Sequence, residues 1–428
     1  MDRADALHLL RRTGFTVRTA ELDEIAGLTR EVAVDRLLDF SPNTGAGPSP
    51  EVNNVEGKRW EQIRDLRLWW IDRMQTSPRQ LQEKMVLFWH SHFATSADSG
   101  FYAYYAWDQN SLFRAKAVGD FKSLAHDVAL GPAMLAYLDN YRNKAGNPNE
   151  NFARELLELH LLGPENYNES DIPEVAKAWT GYMLDEEKYV HEFHPQHHDY
   201  RNKTIFGITR AWNGPQVIDE IITGSKQTAS ARFIAKKLFE FFAYADPSST
   251  VVNRLADDFI AGGHQIWVLV RNILLSNEFW SAEARKAMVR SPVEFVVACM
   301  QGAGSSVAEA RPDWRLKTMG MELFDPPNPS GWQQNGFWVS STAQWAKADF
   351  ARNLSWKAVN RDFLSQIEFL SVPDAVAIAL SLFGVEDASP TTRQALENYL
   401  YAERATDEWP QQANLLTLTM MTPDIQVA

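Results

Sequence analysis

Three segments of the chain concentrate side chains that could bind a metal ion or transfer protons. The first, residues 83–93, carries His90 and His92 two positions apart. At about 100° per residue, a helix points these imidazoles to nearly opposite sides, so they could share a metal only if the helix ended between them. The apolar neighbours of His92 exclude water and make it the better ligand candidate. The alternative is one core histidine bonded to a carbonyl group and one surface histidine.

The second segment, residues 149–160, carries Glu155 and Glu158 one helical turn apart. If both carboxylates turn inward, they could bind a divalent cation or act as acid and base. The alternative is an amphipathic helix with a solvated charged face, in which Arg154 pairs with Glu158 at the i+4 position. Helical periodicity places His160 on the apolar side, away from Glu155.

The third segment, residues 191–204, holds four histidines and Asp199 within nine residues. Such a cluster concentrates neutral-pH ligands and proton carriers. Its irregular spacing matches neither H-E-x-x-H nor a facial triad. A metal site, a polar surface loop and, for the adjacent His198 and Asp199, a structural turn capped by the aspartate all fit this pattern.

The composition of the 428-residue chain excludes several kinds of binding site and several classes of protein. A net charge of −13 leaves no general basic field for nucleic acid. A single cysteine excludes intrachain disulfides and multi-cysteine zinc sites, so any metal must be held by histidine, carboxylate or water. The N-terminus has no apolar core of signal-peptide length, and no segment approaches the roughly 18 apolar residues that span a bilayer. We therefore expect a cytoplasmic protein without nucleic-acid or membrane partners, and the oligomeric state stays open.

Helix signals dominate the elements that must position these groups. Three capping-box patterns predict helix starts, at Ser77, Asp171 and Ser291. Three periodic stretches favour helix, namely residues 231–243, 251–261 and 265–279. No regular series of strands with turn signals is present, although the polar residues 185–214 could contain a short hairpin. The predicted fold is therefore mainly α, a single large multi-helical domain with long ordered loops and at most a short β-hairpin.

Breaks in the pattern predict the domain organisation. Residues 1–40 form an N-terminal helical segment, residues 41–57 a loop rich in Pro, Gly and Ser, and residues 58–428 the main helical domain. We expect the N-terminal segment to pack with the main domain as one unit. Residues 324–332 contain three prolines and one glycine, so they cannot form regular helix and we expect an ordered loop. Cys299 lies in an apolar run and is expected to be a buried, inert thiol.

Seven segments, which include a Trp-His-x-His-Phe core and a Pro-Pro-Asn-Pro-Ser-Gly-Trp loop, together resemble a bacterial family known as domain of unknown function 1800. In chain order they are residues 8–15, 84–95, 149–163, 178–182, 193–207, 291–295 and 326–332. The resemblance implies one mostly helical domain and brings no agreed activity. The family-like polar positions are His90, His92, Asn149, Glu150, Asn151, Arg154, Glu155, Glu158, His198, Asp199 and Lys203. His160 looks less essential, because an aromatic residue often stands there in similar proteins. Where the family usually has a glycine after His-Asp-x, this chain has Arg201, so the conformation of the adjoining turn need not follow the family pattern.

The family pattern favours the interpretation that the three polar segments converge on one buried centre. We therefore expect a metal-dependent enzyme with histidine and carboxylate ligands in a helical domain. The candidate metal ligands are His90, His92, Glu155, Glu158, His198 and Asp199, and the candidate catalytic residues are Glu155, Glu158, Arg154 and Lys203. Arg154 and Lys203 would orient an anionic substrate group or pair with the carboxylates.

Several functions are open to such a centre. Mixed histidine and carboxylate ligation favours iron or manganese, with zinc as a third choice, and we expect a non-haem oxidoreductase acting on a small molecule. A metal-dependent hydrolase would use the same ligands to activate water. A non-catalytic scaffold or partner-binding protein would use the polar motifs as a buried ion-pair network that fixes helix packing. A metal-free hydrolase based on His198 and Asp199 would need a nucleophile that the sequence does not identify.

Overall fold

Helices build most of the computed structural model, as the sequence predicts. The structure describes residues 1–41, 50–52, 58–97, 103–185, 188, 190–358, 366–406 and 411–428. With 63% of the residues helical and only two small sheets among those described, the prediction of a mainly α single domain is confirmed. Most of the predicted loop at residues 41–57 lies outside the described residues, so its conformation and its role as a boundary stay predictions.

The structure describes twenty-two α-helices. The first eleven are α1 (Arg3–Thr13), α2 (Thr19–Ile25), α3 (Arg30–Leu38), α4 (Arg59–Thr76), α5 (Gln80–His92), α6 (Ala103–Ala115), α7 (Phe121–Ala129), α8 (Pro132–Tyr137), α9 (Glu150–Glu155), α10 (Asp171–Ala178) and α11 (Gly214–Thr223). The next eleven are α12 (Gln227–Phe242), α13 (Ser249–Ala261), α14 (Ile266–Leu275), α15 (Pro292–Gly302), α16 (Val307–Ala310), α17 (Asp313–Thr318), α18 (Ser341–Ala358), α19 (Val372–Leu382), α20 (Pro390–Thr406), α21 (Gln411–Met420) and α22 (Pro423–Gln426). Short 3₁₀ turns occur at Asn140–Arg142, Pro195–His197, Asn335–Trp338 and Gln366–Phe369.

Two antiparallel strand pairs lie between α10 and α11. The strands are β1 (Tyr182–Asp185), β2 (Val190–Phe193), β3 (Lys203–Ile205) and β4 (Ile208–Arg210). Strand β1 pairs with β2, and β3 pairs with β4 in a hairpin inside the predicted range 185–214. Phe206 and Gly207 connect β3 to β4 with φ angles of 51° and 80°, the left-handed conformation that a type I′ turn requires at both central positions.

The sequence predicts the positions of these helices more accurately than it predicts the residues that cap them. The three periodic stretches are confirmed as α12, α13 and α14. The capping box at Ser291 forms, and the Glu294 carboxylate accepts the Ser291 backbone N–H at 2.8 Å. Helix α5 begins after the predicted start at Ser77, whose hydroxyl oxygen instead accepts the Arg79 N–H. Helix α10 includes Asp171 as its first residue and not as its cap.

One hydrophobic core connects helices from both ends of the described chain. It takes in Leu7 of α1 and Ile425 of α22, together with the fully buried indoles of Trp70 and Trp89. Cys299 is buried in this core, as predicted, and burial raises the pKa of its thiol. None of the helices that the structure describes combines the length and the apolar character needed to cross a membrane.

A buried ion-pair network, here called the Glu83 network, links α4, α5 and α6. The Glu83 carboxylate has no exposed surface and accepts Arg114 Nε and Nη2 at 2.7 and 2.8 Å. Trp70 Nε1 and Arg73 Nε donate to the same carboxylate at 3.1 and 3.4 Å. Burial alone would raise the pKa of Glu83, but the hydrogen bonds and the charge of Arg114 hold it below its usual range. The carboxylate therefore stays ionised inside the core.

Helix α9 runs directly into a π-helical turn over Leu156–Leu161. The Leu162 N–H donates to the Leu157 carbonyl oxygen at 3.0 Å, which is the i to i−5 spacing of a π-turn. This wider turn shifts the side chains that follow it relative to a regular α-helix. His160 lies within the turn and is 1% exposed.

Residues 324–332, here called the proline-rich loop, pack against the end of α5. The Phe324 N–H donates to His90 Nε2 at 3.1 Å, and the Trp332 N–H donates to Ser91 Oγ at 3.3 Å. Gly331 has a φ of 78°, and a Cβ atom there would lie 2.1 Å from the Ser91 carbonyl oxygen. Glycine is therefore required for this approach, which brings the loop against the last turn of α5 at His90 and Ser91.

Candidate functional site

His92 and His160 form a reciprocal hydrogen-bonded pair in the core. His92 Nε2 donates to the His160 carbonyl oxygen, and His160 Nδ1 donates to the His92 carbonyl oxygen, both at 2.9 Å. Because a carbonyl oxygen can only accept, this pattern assigns the ring hydrogens and leaves His92 Nδ1 and His160 Nε2 as acceptors. His160 Nε2 is buried without a hydrogen-bond partner among the described residues. Burial lowers the pKa of His160 to about 3 and holds that of His92 well below its usual value, so both rings are neutral at pH 7.

Lys237 on α12 completes a lysine–histidine cluster with His92 and His160. Its Nζ donates to His92 Nδ1 and to the Leu159 carbonyl oxygen, both at 3.2 Å. Leu159 lies in the π-turn, where the regular α-helical hydrogen bonds are interrupted and a carbonyl group can accept from another helix. Burial lowers the pKa of Lys237 to about 8, against the opposing influence of Glu240. A fraction of this lysine is therefore an uncharged amine near neutral pH.

The lysine–histidine cluster faces a cavity of about 310 Å³. Lys237 and His92 line this cavity together with Ser91, Trp332 and Gln334. Its wall therefore combines α5, α12 and the proline-rich loop, which come from widely separated parts of the chain.

A smaller pocket of about 60 Å³ adjoins the cavity, because Ser91, Trp332 and Gln334 line both. We call it the arginine pocket, after the four cationic side chains that line it: Arg11, Arg12, Lys84 and Arg290. Each of these four residues is at most 4% exposed. Within the described part of the chain, Glu294 is the one carboxylate-bearing side chain in the lining.

The cations of the arginine pocket differ in how their charges are balanced. Lys84 forms an ion pair with Glu294, and Arg11 pairs with Asp387 at 2.6 Å. Arg12 donates instead to three main-chain oxygens, at 2.7, 2.5 and 3.1 Å, which belong to Phe242, Ala243 and Ala428, the last residue of the printed sequence. Burial lowers the pKa of Arg12 to about 9. Its charge therefore persists at pH 7 and is met by main-chain oxygens, with no carboxylate side chain beside it among the described residues.

Arg290 has no partner in the part of the chain that the structure describes. Its side chain forms no hydrogen bond or ion pair there, and its Nη1 atom is buried. Burial, together with the positive charge of Arg11, lowers the pKa of Arg290 to about 10. The guanidinium is therefore still protonated at pH 7. The arginine pocket thus contains a buried positive charge without a side-chain counter-charge among the described residues.

The match to a protein family extends over nearly the whole chain. Residues 8–427 match the family model described as Protein of unknown function (DUF1800). The chain belongs to this family. The resemblance carried by the seven sequence segments is thereby confirmed. No match was found among curated proteins or among solved structures.

Segments that carry the DUF1800 resemblance meet at the arginine pocket. Four of the seven line it, through Arg11 and Arg12, Lys84 and Ser91, Ser291 and Glu294, and Trp332. The segment at residues 149–163 reaches the neighbouring cavity through the contact of His160 with His92. The two pockets are therefore the place where most of the family-like segments come together.

The carboxylate segment of this DUF1800 chain is only partly buried. Glu155 and Glu158 are both half-buried, and burial with the nearby Glu158 charge raises the pKa of Glu155. Tyr167 Oη donates to the Glu158 carboxylate at 3.1 Å. Arg154 pairs with the exposed Glu169 at 3.1 Å and not with Glu158. The charged face expected from the sequence is thus partly solvated, with different ion-pair partners.

The His-Asp turn is held by contacts within its own neighbourhood. His198 Nδ1 donates to the Thr180 carbonyl oxygen at 2.8 Å, and burial lowers the pKa of His198. Arg201 Nε and Nη2 donate to the Asp199 carboxylate at 3.0 and 2.5 Å, and these hydrogen bonds lower the pKa of Asp199 to about 2. Arg201, the departure from the DUF1800 pattern, therefore neutralises a carboxylate that was a candidate metal ligand.

The predicted metal ligands are distributed over separate places. His90 is a core residue that accepts a backbone N–H, and burial lowers its pKa to about 3. His92 belongs to the lysine–histidine cluster, whereas His198 and Asp199 contact the segment at residues 178–182. Across the described ranges, no group of three or more His, Cys, Asp or Glu side chains is placed to hold a metal ion. A site for iron, manganese or zinc stays a prediction from the sequence.

Lys203, a predicted substrate-orienting residue, acts as a clamp on the His-Asp turn. It is 1% exposed, and its Nζ donates to three carbonyl oxygens, at 2.5, 3.0 and 2.9 Å, which belong to Asp199, Arg201 and Trp212. Because an ammonium group has three N–H bonds, none is left for a substrate.

Replacing Lys203 with Met is expected to lower the free energy of unfolding by about 2–4 kcal/mol, because three carbonyl groups lose their buried donor. Urea denaturation followed by circular dichroism measures this loss. Lys236→Met is the matched control, since that side chain is half exposed and should change stability by less than about 0.5 kcal/mol. Equal stabilities of the two variants would contradict the clamp.

Two residues at the centre of the DUF1800 pockets were not singled out by the sequence analysis. Lys237 lies in a periodic helical stretch between Phe233 and Phe241, at i−4 and i+4, so the pattern placed it on an aromatic face. Arg290 directly precedes the Ser291 capping box. For Lys237, the available signal was a basic residue on an aromatic face. Fully buried cations are rare without a partner, so such a position indicates a special role.

Proposed function

We propose that this DUF1800 protein binds a small organic anion in the arginine pocket and acts on it as an enzyme. The observation that carries this proposal is Arg290, whose residue surface is 3% exposed and whose guanidinium has no partner among the described residues. A carboxylate or phosphate group would supply that partner through bidentate hydrogen bonds.

The charge of Arg290 is compensated by no side chain among the described residues. An ion buried without a partner costs several kcal/mol, and this cost is recovered only when a counter-charge with good hydrogen-bond geometry is present. Arg12 adds a second charge that is met by main-chain oxygens and by no side-chain carboxylate among the described residues. Lys84 and Arg11 are balanced by Glu294 and Asp387. The pocket therefore has an excess of positive charge that favours an anionic group.

The sizes of the two spaces indicate how such a molecule would lie. The arginine pocket, at about 60 Å³, has room for several water-sized groups and so for one carboxylate or phosphate group. The remainder of the molecule would extend into the adjoining cavity of about 310 Å³. The lysine–histidine cluster would then lie beside the part of the substrate that is not held by the arginines.

We expect phosphate, sulfate or acetate to raise the melting temperature of the full chain. At 100 times the dissociation constant, binding to the folded state alone stabilises by about 2.7 kcal/mol, which corresponds to a shift of several degrees. Arg290→Met should abolish the shift. Without added anion, this variant should be at least as stable as the unmodified protein, because an unpaired buried charge has been removed. Differential scanning fluorimetry measures both effects.

The control for this experiment is Arg254→Met, which removes a partly exposed arginine paired with Glu278. It should keep the full response to anions. An identical response in Arg290→Met would contradict the proposal, as would a large loss of stability in that variant without anion, since this would indicate a structural arginine. Treatment with a chelator should leave the response unchanged, and elemental analysis of the same preparations tests the metal-dependent oxidoreductase and hydrolase that the sequence suggests.

A further inference from the structure

The second pocket contains a lysine in an unusual setting. Lys237 lines the cavity of about 310 Å³, and its Nζ is held by His92 Nδ1 and the Leu159 carbonyl oxygen. Among the described residues, no carboxylate lies within 4.0 Å of this ammonium nitrogen, and the nearby Glu240 pairs with Lys236 at 3.7 Å. Neither the hydrogen bonds to His92 and Leu159 nor the packing on Phe233 neutralises the charge. The lysine is therefore positioned by neutral groups at the edge of an open space.

Burial also changes the protonation of this amine. It lowers the pKa of Lys237 to about 8, from 10.5 for an ordinary lysine. Lysines desolvated in this way act as nucleophiles toward carbonyl compounds.

We propose that Lys237 forms an imine with a small aldehyde or ketone whose carboxylate or phosphate group occupies the arginine pocket. The geometry that supports this inference is the contact between the two spaces, which share Ser91, Trp332 and Gln334. The inference rests on the proposed function for the position of the anionic group. It assigns the reactive end of the substrate to the lysine–histidine cluster.

The reaction balances without an added oxidant or reductant. The lone pair of the uncharged Nζ forms the carbon–nitrogen bond while the carbonyl π electrons move to oxygen. Transfer of one proton from nitrogen to oxygen gives a carbinolamine. Loss of the hydroxyl group with the second nitrogen proton gives the carbon–nitrogen double bond and one water molecule. His92, whose Nδ1 accepts a hydrogen bond from the amine at 3.2 Å, is a positioning residue in this step.

The test traps the imine on the full-length wild-type chain. The protein is incubated with glyoxylate at pH 7.5 and treated with sodium borohydride, which adds hydride to the imine and leaves a stable secondary amine. Peptide mass spectrometry then gives the labelled fraction at each lysine. We expect Lys237 to be labelled at least about ten times more than Lys236, its half-exposed neighbour on the same helix. Acetaldehyde, which has no anionic group, should label Lys237 at least about five times less than glyoxylate.

The outcomes distinguish a failure of the reaction at Lys237 from a failure of anion binding in the arginine pocket. Equal labelling of Lys237 and Lys236 by glyoxylate overturns the inference, and it does so whether or not phosphate raises the melting temperature. Labelling of Lys237 that is the same with acetaldehyde, or unchanged in Arg290→Met, overturns the placement of the anionic group in the arginine pocket. Selective labelling that falls in Arg290→Met supports the whole proposal. A wild-type chain whose melting temperature is not raised by phosphate, measured separately, identifies a failure of the proposed function itself.

Discussion

Replacing Glu83 with Gln is expected to lower the free energy of unfolding by about 3–5 kcal/mol. The carboxylate has no exposed surface and accepts two hydrogen bonds from Arg114, at 2.7 and 2.8 Å. The substitution keeps the size of the side chain and removes its charge, so the Arg114 guanidinium is left in the core without a counter-charge. Urea denaturation at pH 7 measures the loss.

Two further variants test the cause of this effect. Changing Glu83 and Arg114 together to Met removes both charges, and we expect this double variant to recover most of the stability lost in Glu83→Gln. Glu169→Gln is the surface control. That carboxylate pairs with Arg154 but is 76% exposed, so its loss should cost less than about 1 kcal/mol. A cost below about 1 kcal/mol for Glu83→Gln would contradict the assignment of the Glu83 network as a main support of α4, α5 and α6.

Mild acid is expected to destabilise the protein strongly, because several histidines are buried in neutral form. Burial lowers the pKa of His8 to about 4, and those of His90 and His160 to about 3. In the unfolded chain these groups titrate near 6.5, so between pH 6.5 and about 4 the unfolded state binds more protons. The stability that these histidines contribute is complete above pH 6.5 and is lost as the pH falls. At pH 5 each contributes a loss of about 2 kcal/mol, and three such losses approach the total stability of a typical domain.

The free energy of unfolding at pH 7 and pH 5 measures this effect. His90→Gln should reduce the difference between the two pH values by about 2 kcal/mol, because glutamine can still accept the Phe324 N–H but does not titrate. His191→Gln alters an exposed histidine on β2 and should leave the difference unchanged. Equal differences in both variants would show that the acid sensitivity has another origin.

The fate of the two histidines on α5 shows what a helical pattern can and cannot predict. The wheel correctly separates His90 from His92, because they contact different elements. The alternative of one core and one surface histidine is wrong, because the two are 1% and 4% exposed. The reason is that α5 is covered on several sides, by α4 and the proline-rich loop near His90 and by the π-turn near His92. Periodicity describes the faces of one helix, but it does not tell how many of them other elements will cover.

The composition of the candidate site was harder to predict than the fold. Periodic stretches and the Ser291 capping box depend on neighbours within one turn, and a single sequence records such local relations well. Tertiary packing alone brings Arg12, Arg290 and Lys237 to two adjoining pockets, and no local pattern connects them. The charged segment around Glu155 was predicted to bind a metal ion because its residue types are those of metal sites. In the structure, the more unusual electrostatics belong to single basic residues in apolar surroundings.

The arginine pocket is assembled from positions that lie far apart in the chain, and this bears on the order of folding. Arg12 donates to a main-chain oxygen 416 residues away. Contacts across such long stretches form slowly, because large loops must close before any favourable contact is gained. During synthesis, Arg12 leaves the ribosome long before residues 242 and 243, and these long before residue 428. The pocket is therefore complete only after segments from both ends of the described chain have packed together, so that a bound anion would distinguish this state from earlier folding intermediates.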